Sequence, residues 1–260
     1  MPGSDGADID WALWLFGLVV LAALVAAREL GLLARSRLRG ADATEPASDG
    51  FTLTTVLGLL ALLVSFTFSM SLNRYDARRE LVVAEGNAIG TTWLRTQLLD
   101  ADTREALNPL LRTYADERVV YGSAPTDEAE AASYARTSAL QTRIWSTMTG
   151  GLEPVRGTAL AASVISTVNE TFDLAASRKA ARAAHVPRRV LVLVLLLLYA
   201  VVVATLVGWE KGRMRWSTTM LFVLLTLAGM LIIDLDQPTR GAVRVSQQAV
   251  IDARAAMTDM

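Results

Sequence analysis

The chain has no cysteine and one histidine, His185. Without cysteine there is no disulfide, no thiolate nucleophile and no cysteine metal site. A single histidine with no His or Cys partner makes no metal site either. No metal and no cofactor is therefore expected, and His185, beside Arg182 and Val186-Pro187, reads as an interfacial residue. Lysine is nearly missing: Lys179 and Lys211 are the only two, and arginine supplies the other basic groups. Charge of one sign is also lacking. The net charge of −1 gives no electrostatic ground for a nucleic-acid partner. The short motifs of common enzymes are missing as well. There is no Walker loop, no Gly-rich dinucleotide turn after a strand, no HExxH and no GxSxG. No pair of carboxylates is placed by the sequence in an apolar pocket. The chain is not expected to be an enzyme.

What is present is apolar. Of the 260 residues 52% are hydrophobic, and the mean hydropathy is +0.36, above that of an ordinary soluble domain. The mean hides a division: four windows are almost free of charge, and the charged residues crowd between them. A bilayer core needs about 20 apolar residues per helix. The windows are residues 11–27, 51–72, 190–209 and 216–233. Trp11 and Trp14 suit the interfacial belt of the first. A signal peptide fits this window poorly, because Asp5, Asp8 and Asp10 precede it where a basic region belongs. Pro187 opens the third window, where a missing N–H is harmless. The loop Glu210-Lys211-Gly212-Arg213-Met214-Arg215, bracketed by Trp209 and Trp216, reads as the turn of a transmembrane hairpin (188–236).

The expected fold is therefore an all-α membrane protein with four transmembrane helices in two pairs. A polar linker follows the first span, up to residue 50. A helical extramembrane domain, 73–187, lies between spans two and three, and a short tail, 237–260, follows span four. The lipid bilayer is the first expected partner. Orientation is not readable from charge. The two short loops carry seven basic residues and the membrane-proximal ends of the domain carry eight.

Within the domain, span two is expected to continue as one helix to about Leu99, weakened at Gly86 and Gly90. Asp102 with Glu105 suggests a capping box for the next helix. Asn108-Pro109 then kinks or restarts it. Ser123 to Thr126 breaks the chain, and Thr126 precedes a helix with Asp127, Glu128 and Glu130 in its first turn. Gly150-Gly151 ends that helix, and another is expected from about Pro154 to Ala184.

Three sets of residues are candidates for function. Ser65, Ser69, Asn73, Asp76, Glu80 and Asn87 recur at helical spacing along span two and its extension, so they share a face. A polar face on a membrane helix points at another helix or at water. The serines read as a pore lining or as a packing surface, and Asn73, Asp76 and Glu80 as a pore lining or as a solvated surface just outside the bilayer. Phe66 and Phe68 lie deep in span two and suit either a hydrophobic gate or ordinary packing. Finally, topology puts Arg74, Arg78, Arg79, Arg188 and Arg189 at the same membrane surface as Asp234 and Asp236. That suggests a juxtamembrane charge layer, either selective for ions or holding the helices together.

Two stretches carry a family resemblance. The first runs from Phe66-Thr-Phe-Ser-Met through Asn73-Arg-Tyr-Asp-Ala-Arg-Arg-Glu80 to Glu85-Gly86-Asn87 and Trp93-Leu-Arg95. The second is Asp234-Leu-Asp236-Gln-Pro238-Thr-Arg240-Gly241 with Val245-Ser-Gln-Gln248. Together they resemble the signature of the bacterial bestrophin-like membrane proteins. The family pattern has Glu-Ala-Asn where this chain has Glu85-Gly86-Asn87, and Asp-Arg-Pro where it has Asp236-Gln237-Pro238. The resemblance covers about residues 50–260. It implies an architecture like that of bestrophins, oligomeric anion channels with four spans and a cytosolic domain between spans two and three. It would place the middle domain and both termini in the cytosol, in a multi-pass protein of the cell membrane.

Two functions follow as alternatives. One is a homo-oligomeric channel for small inorganic ions, anions on the resemblance, with span two lining the pore. The other is a non-transporting membrane scaffold or sensor acting through its helical domain.

Overall fold

The computed structural model describes residues 11–39, 49–183, 196–197, 199–207, 215–237 and 243–258. Every regular element among them is helical. In chain order these are α1 (Trp11–Arg39), α2 (Asp49–Thr96), α3 (Ala101–Gly122), α4 (Asp127–Gly151), a 3₁₀ turn (Glu153–Val155), α5 (Ala159–Ala183), α6 (Arg215–Asp236) and α7 (Gln248–Ala255). Residues 199–207 are also helical. The chain divides into two compact units, the boundary on α2 falling between Asn73 and Arg74.

The first unit contains α1, α2 up to Asn73, residues 199–207 and α6. Among the described residues, three helices are long and apolar enough to cross a membrane: Trp11–Arg37, Leu53–Thr96 and Trp216–Asp236. They contain almost all of the first, second and fourth expected windows. The first helix is longer than expected and runs to Arg39, because no proline stops it after Ala27. The third window is helical over 199–207, and its two ends lie outside the described residues. Leu24, Leu60, Val203, Ala204 and Phe222 form the center of this unit. The Tyr199 hydroxyl donates to the Val56 carbonyl at 3.0 Å. Arg28 is buried on α1 and donates to the hydroxyls of Thr218 and Thr219 on α6, at 3.1 and 2.8 Å. A charge in such surroundings persists only with partners of this kind.

The second unit is a helical bundle of α2 (from Arg74), α3, α4 and α5, with α7 packed on it. Its apolar residues recur three, four or seven positions apart: Val82, Ile89 and Trp93; Leu107, Leu111 and Tyr114; Leu140, Ile144 and Met148; Ala161, Val164 and Val168. That is the stripe of a core-facing helix. A polar layer crosses it where Thr92 bonds Thr167 and Thr171, at 3.2 and 2.8 Å.

The helix ends sharpen several expectations. α2 continues unbroken through Gly86 and Gly90 to Thr96. The cap of α3 is Asp100, not the expected Asp102–Glu105 box. The Asp100 carboxylate accepts from the Thr103 amide at 2.9 Å and from its hydroxyl at 2.7 Å, which starts the helix earlier. Pro109 neither restarts nor ends α3, which encloses it. The helix expected after Thr126 is α4, with the acids in its first turn as expected; the Thr126 hydroxyl caps it, accepting from Ala129 N at 3.1 Å, and α4 ends at Gly151. The helix expected from Pro154 begins later, at Ala159. Between the 3₁₀ turn and α5 lies Gly157 with φ +92°, a conformation that glycine adopts without strain and that interrupts a helix.

The tail is more than an appendage. It forms α7, and Val250 and Met257 join the bundle core. Gly86 explains how α7 fits: a Cβ there would lie 2.6 Å from the Ala249 carbonyl oxygen. The chain's departure from alanine at this position admits the close approach. Gly86→Val is expected to cost about 1–3 kcal/mol by overpacking, read as a lower Tm for the purified protein. An unchanged Tm would mean that α7 does not seat against α2 in this way.

A polar face and a buried arginine cluster

α2 carries the candidate stripe. Ser65, Ser69, Asn73, Asp76, Glu80 and Asn87 are all exposed in the chain. None is covered by another helix among the described residues. The Ser65 hydroxyl is satisfied by its own helix, donating to the Ala61 carbonyl at 2.8 Å, so it makes no demand on its surroundings. Asn73, Asp76 and Glu80 have a stronger need for water or polar partners. Phe66 is 61% exposed and falls on this face. Phe68, turned about 200° further round the helix, is half-buried. The two phenylalanines therefore lie on different sides of α2.

The juxtamembrane residues take different places. Arg79 is exposed and Arg74 half-buried, whereas Arg78 is buried and its Nε donates to the Ala181 carbonyl of α5 at 3.5 Å. Asp234 and Asp236 are buried in the first unit. Asp234 Oδ2 accepts from the Val243 amide at 3.0 Å, so it ties down the backbone that follows α6. Arg188 and Arg189 lie outside the described residues.

A second constellation was not among the sequence candidates. Glu85 replaces an apolar residue in the core register of α2 and is fully buried. Arg118 of α3 donates to it through Nε at 2.5 Å, and Arg178 of α5 pairs with its other oxygen. Arg178 Nη2 also donates to Gln247 Oε1 at 2.7 Å, which anchors the residue before α7. One turn along α5, Arg182 pairs with Glu130 of α4 at 2.6 Å and donates to the Gly122 carbonyl at 3.1 Å. The Tyr121 ring lies among these cations, with the guanidinium carbons of Arg118, Arg182 and Arg178 at 4.3, 4.9 and 5.8 Å from its center. Its hydroxyl donates to Glu130 at 3.0 Å. One buried network thus joins α2, α3, α4, α5 and the tail. Burial pushes the Arg178 guanidinium below its ordinary pKa, and the Glu85 carboxylate opposes that. Burial likewise raises the Tyr121 phenol. The available signal was a set of charged residues at core spacing, Arg178 and Arg182 four apart and Glu85 between Val82 and Ile89. The residues that meet come from five separate segments of the chain, so spacing alone does not join them.

Two outer carboxylates link this domain to pH. Hydrogen bonds from the Thr103 hydroxyl and amide hold Asp100 below its ordinary pKa. Burial pushes Glu117 up, but hydrogen bonds from Arg136 and Ser133 outweigh it and leave the group lowered. A depressed carboxylate stabilizes the fold above its unfolded pKa and loses that contribution as pH falls through its folded value. The Tm of the protein is therefore expected to drop as pH is lowered through and below the ordinary carboxylate range. Asp100→Asn with Glu117→Gln should flatten that fall, and an equally steep profile would count against these two groups.

The helices and their apolar lengths define a helical membrane protein. More particularly, residues 17–250 match the Bestrophin-like domain, and the chain belongs to that family. Two crystal structures of mutant forms of a bacterial bestrophin homolog from Klebsiella pneumoniae are similar in fold. One aligns with a TM-score of 0.69 at 13% identity, covering 93% of this chain and 97% of the other. The second gives 0.69 at 11% identity, covering 92% and 97%. A search of curated proteins finds no match in sequence. The structural likeness is one of fold, and the family is one of membrane proteins that are typically channels rather than enzymes.

Proposed function

We propose that the protein is a homo-oligomeric channel for small inorganic ions, with the outward face of α2 lining the path. The observation that carries this reading is the exposure of Ser69, Asn73, Asp76 and Glu80 on a helix whose preceding stretch is apolar enough to span a bilayer. Hydrocarbon is a poor environment for such a face. Copies of the chain arranged around an axis would turn it toward water. Leu62 and Phe66 continue the same face into the apolar stretch, and both are exposed. In an oligomer they would form an apolar constriction next to a polar one, a combination that gates by dewetting. Membership of the bestrophin-like family makes an anion the first ion to test and supports a cytosolic helical domain.

The test is conductance. The purified oligomer, reconstituted in a planar bilayer, is expected to give discrete single-channel currents in chloride solutions. A well-folded oligomer that remains silent over a range of voltages and salts would overturn the channel reading and favor a scaffold.

A further inference from the structure

The first unit holds an apolar groove of about 60 Å³. Phe16, Val20 and Leu24 of α1 line one side, and Leu225, Gly229 and Ile233 of α6 line another. The two helices run antiparallel. Arg28 bonds Thr218, and Gly17 sits so close to Met230 that a Cβ there would collide with the sulfur. One residue away the packing opens: a Cβ on Gly229 would meet nothing within 4 Å. Glycine at this position therefore leaves free a space that a side chain would fill. From Leu225 to Ile233 the groove follows α6 for about 12 Å, at 1.5 Å per residue. It is long for its volume, and so narrow. Phe16, at one end of it on α1, is 40% exposed and lies one turn or less from the exposed Trp14, which suits the bilayer interface.

The lining decides what can occupy it. A water needs only about 10–15 Å³, so size alone would admit one, but a buried water also needs two to four polar partners. Thr226 is the one lining residue with a polar side chain, and its hydroxyl has no hydrogen-bond partner among the described residues. A single hydroxyl does not hold water in an apolar groove. α1 and α6 are both long and apolar enough to cross a bilayer, so the groove lies at the depth of hydrocarbon. We propose that it binds one acyl chain of a bilayer phospholipid, which enters at the Phe16 end and lies along α6 as far as Leu225. A flexible chain suits a narrow groove about 12 Å long, where a rigid ring system does not. Because lipid tails and the groove are equally apolar, the attraction is close van der Waals packing. The inference goes beyond ion conduction and does not depend on it.

The experiment places the full-length protein in phosphatidylcholine nanodiscs that contain a trace of phosphatidylcholine with a diazirine midway along one acyl chain. After photolysis, adducts are located by peptide mass spectrometry. The half-buried Val20, Leu225 and Ile233 are expected to carry more adduct than Leu224 and Leu227, which are exposed on the same helix α6. Gly229→Leu puts a side chain into the open space and is expected to lower labeling of the groove by about fivefold or more, because a filled groove has no room for a chain. Labeling of Leu224 and Leu227 should stay as in wild type. Gly229→Ala is the second variant should Gly229→Leu fold poorly, and a partial loss is expected from it. Labeling that simply follows exposure, densest on Leu224 and Leu227, would overturn the proposal. So would an unlabeled groove in the wild-type protein, which would mean that a second copy of the chain covers it. Groove labeling that survives unchanged in the folded Gly229 variants would overturn it as well.

Discussion

Glu85→Leu is expected to unfold the helical domain or bring it close to unfolding. The substitution leaves Arg118 and Arg178 buried without the carboxylate that both use. Breaking a buried ion pair by removing one partner costs about 3–5 kcal/mol, and here two cations lose the same partner. Domains have only about 5–15 kcal/mol of stability in total, so this is a large part of it. The measurement is the Tm of the detergent-solubilized protein, together with its elution profile. Leucine matches the volume of glutamate well enough that packing is not the main loss. The double variant Glu85→Leu with Arg118→Met is therefore expected to recover part of the loss, because it removes one stranded cation. Wild-type stability in Glu85→Leu would show that the cluster contributes nothing net. A double variant no better than the single one would place the loss in packing.

Asn73→Leu is expected to lower single-channel conductance by roughly tenfold or more, if α2 lines the path, by extending the apolar constriction and its dewetting barrier. Asn73 is exposed and follows the apolar stretch of α2, on the face that carries Phe66 and Ser69. The change is repeated in every subunit of an oligomer, so its effect multiplies around the ring. Thr67→Val is the matching control. Thr67 is half-buried and its hydroxyl donates to the Leu63 carbonyl of its own helix at 2.7 Å. Its replacement should leave conductance near wild type. Equal currents from wild type and Asn73→Leu, in oligomers of equal yield, would remove α2 from the pore.

Much of this molecule is legible from sequence for a physical reason. Spanning helices must be apolar over most of their length, so windows at 11–27, 51–72 and 216–233 announce themselves. Thr126 with its following acids marks a helix start through local hydrogen bonding alone. The polar stripe of α2 follows from the 3.6-residue period, and its members are exposed. Where local signals compete, spacing was a weaker guide. Asp100 rather than Asp102 caps α3, because the Thr103 hydroxyl and amide both reach Asp100. The tail, a short polar stretch on its own, becomes α7 because the bundle offers a place beside Gly86.

What the sequence by itself determined is the helical class, the apolar lengths, and the polar face of α2, since each depends only on residues near one another in the chain. Tertiary structure alone decided that Glu85, Arg118, Arg178, Arg182 and Gln247 meet. Their pairing depends on the register of helices that no local spacing records. Cysteine is absent and histidine nearly so, and in this chain arginine and glutamate supply the buried polar contacts instead. Among charged side chains they can satisfy one another only when folding brings them together and removes the water between them.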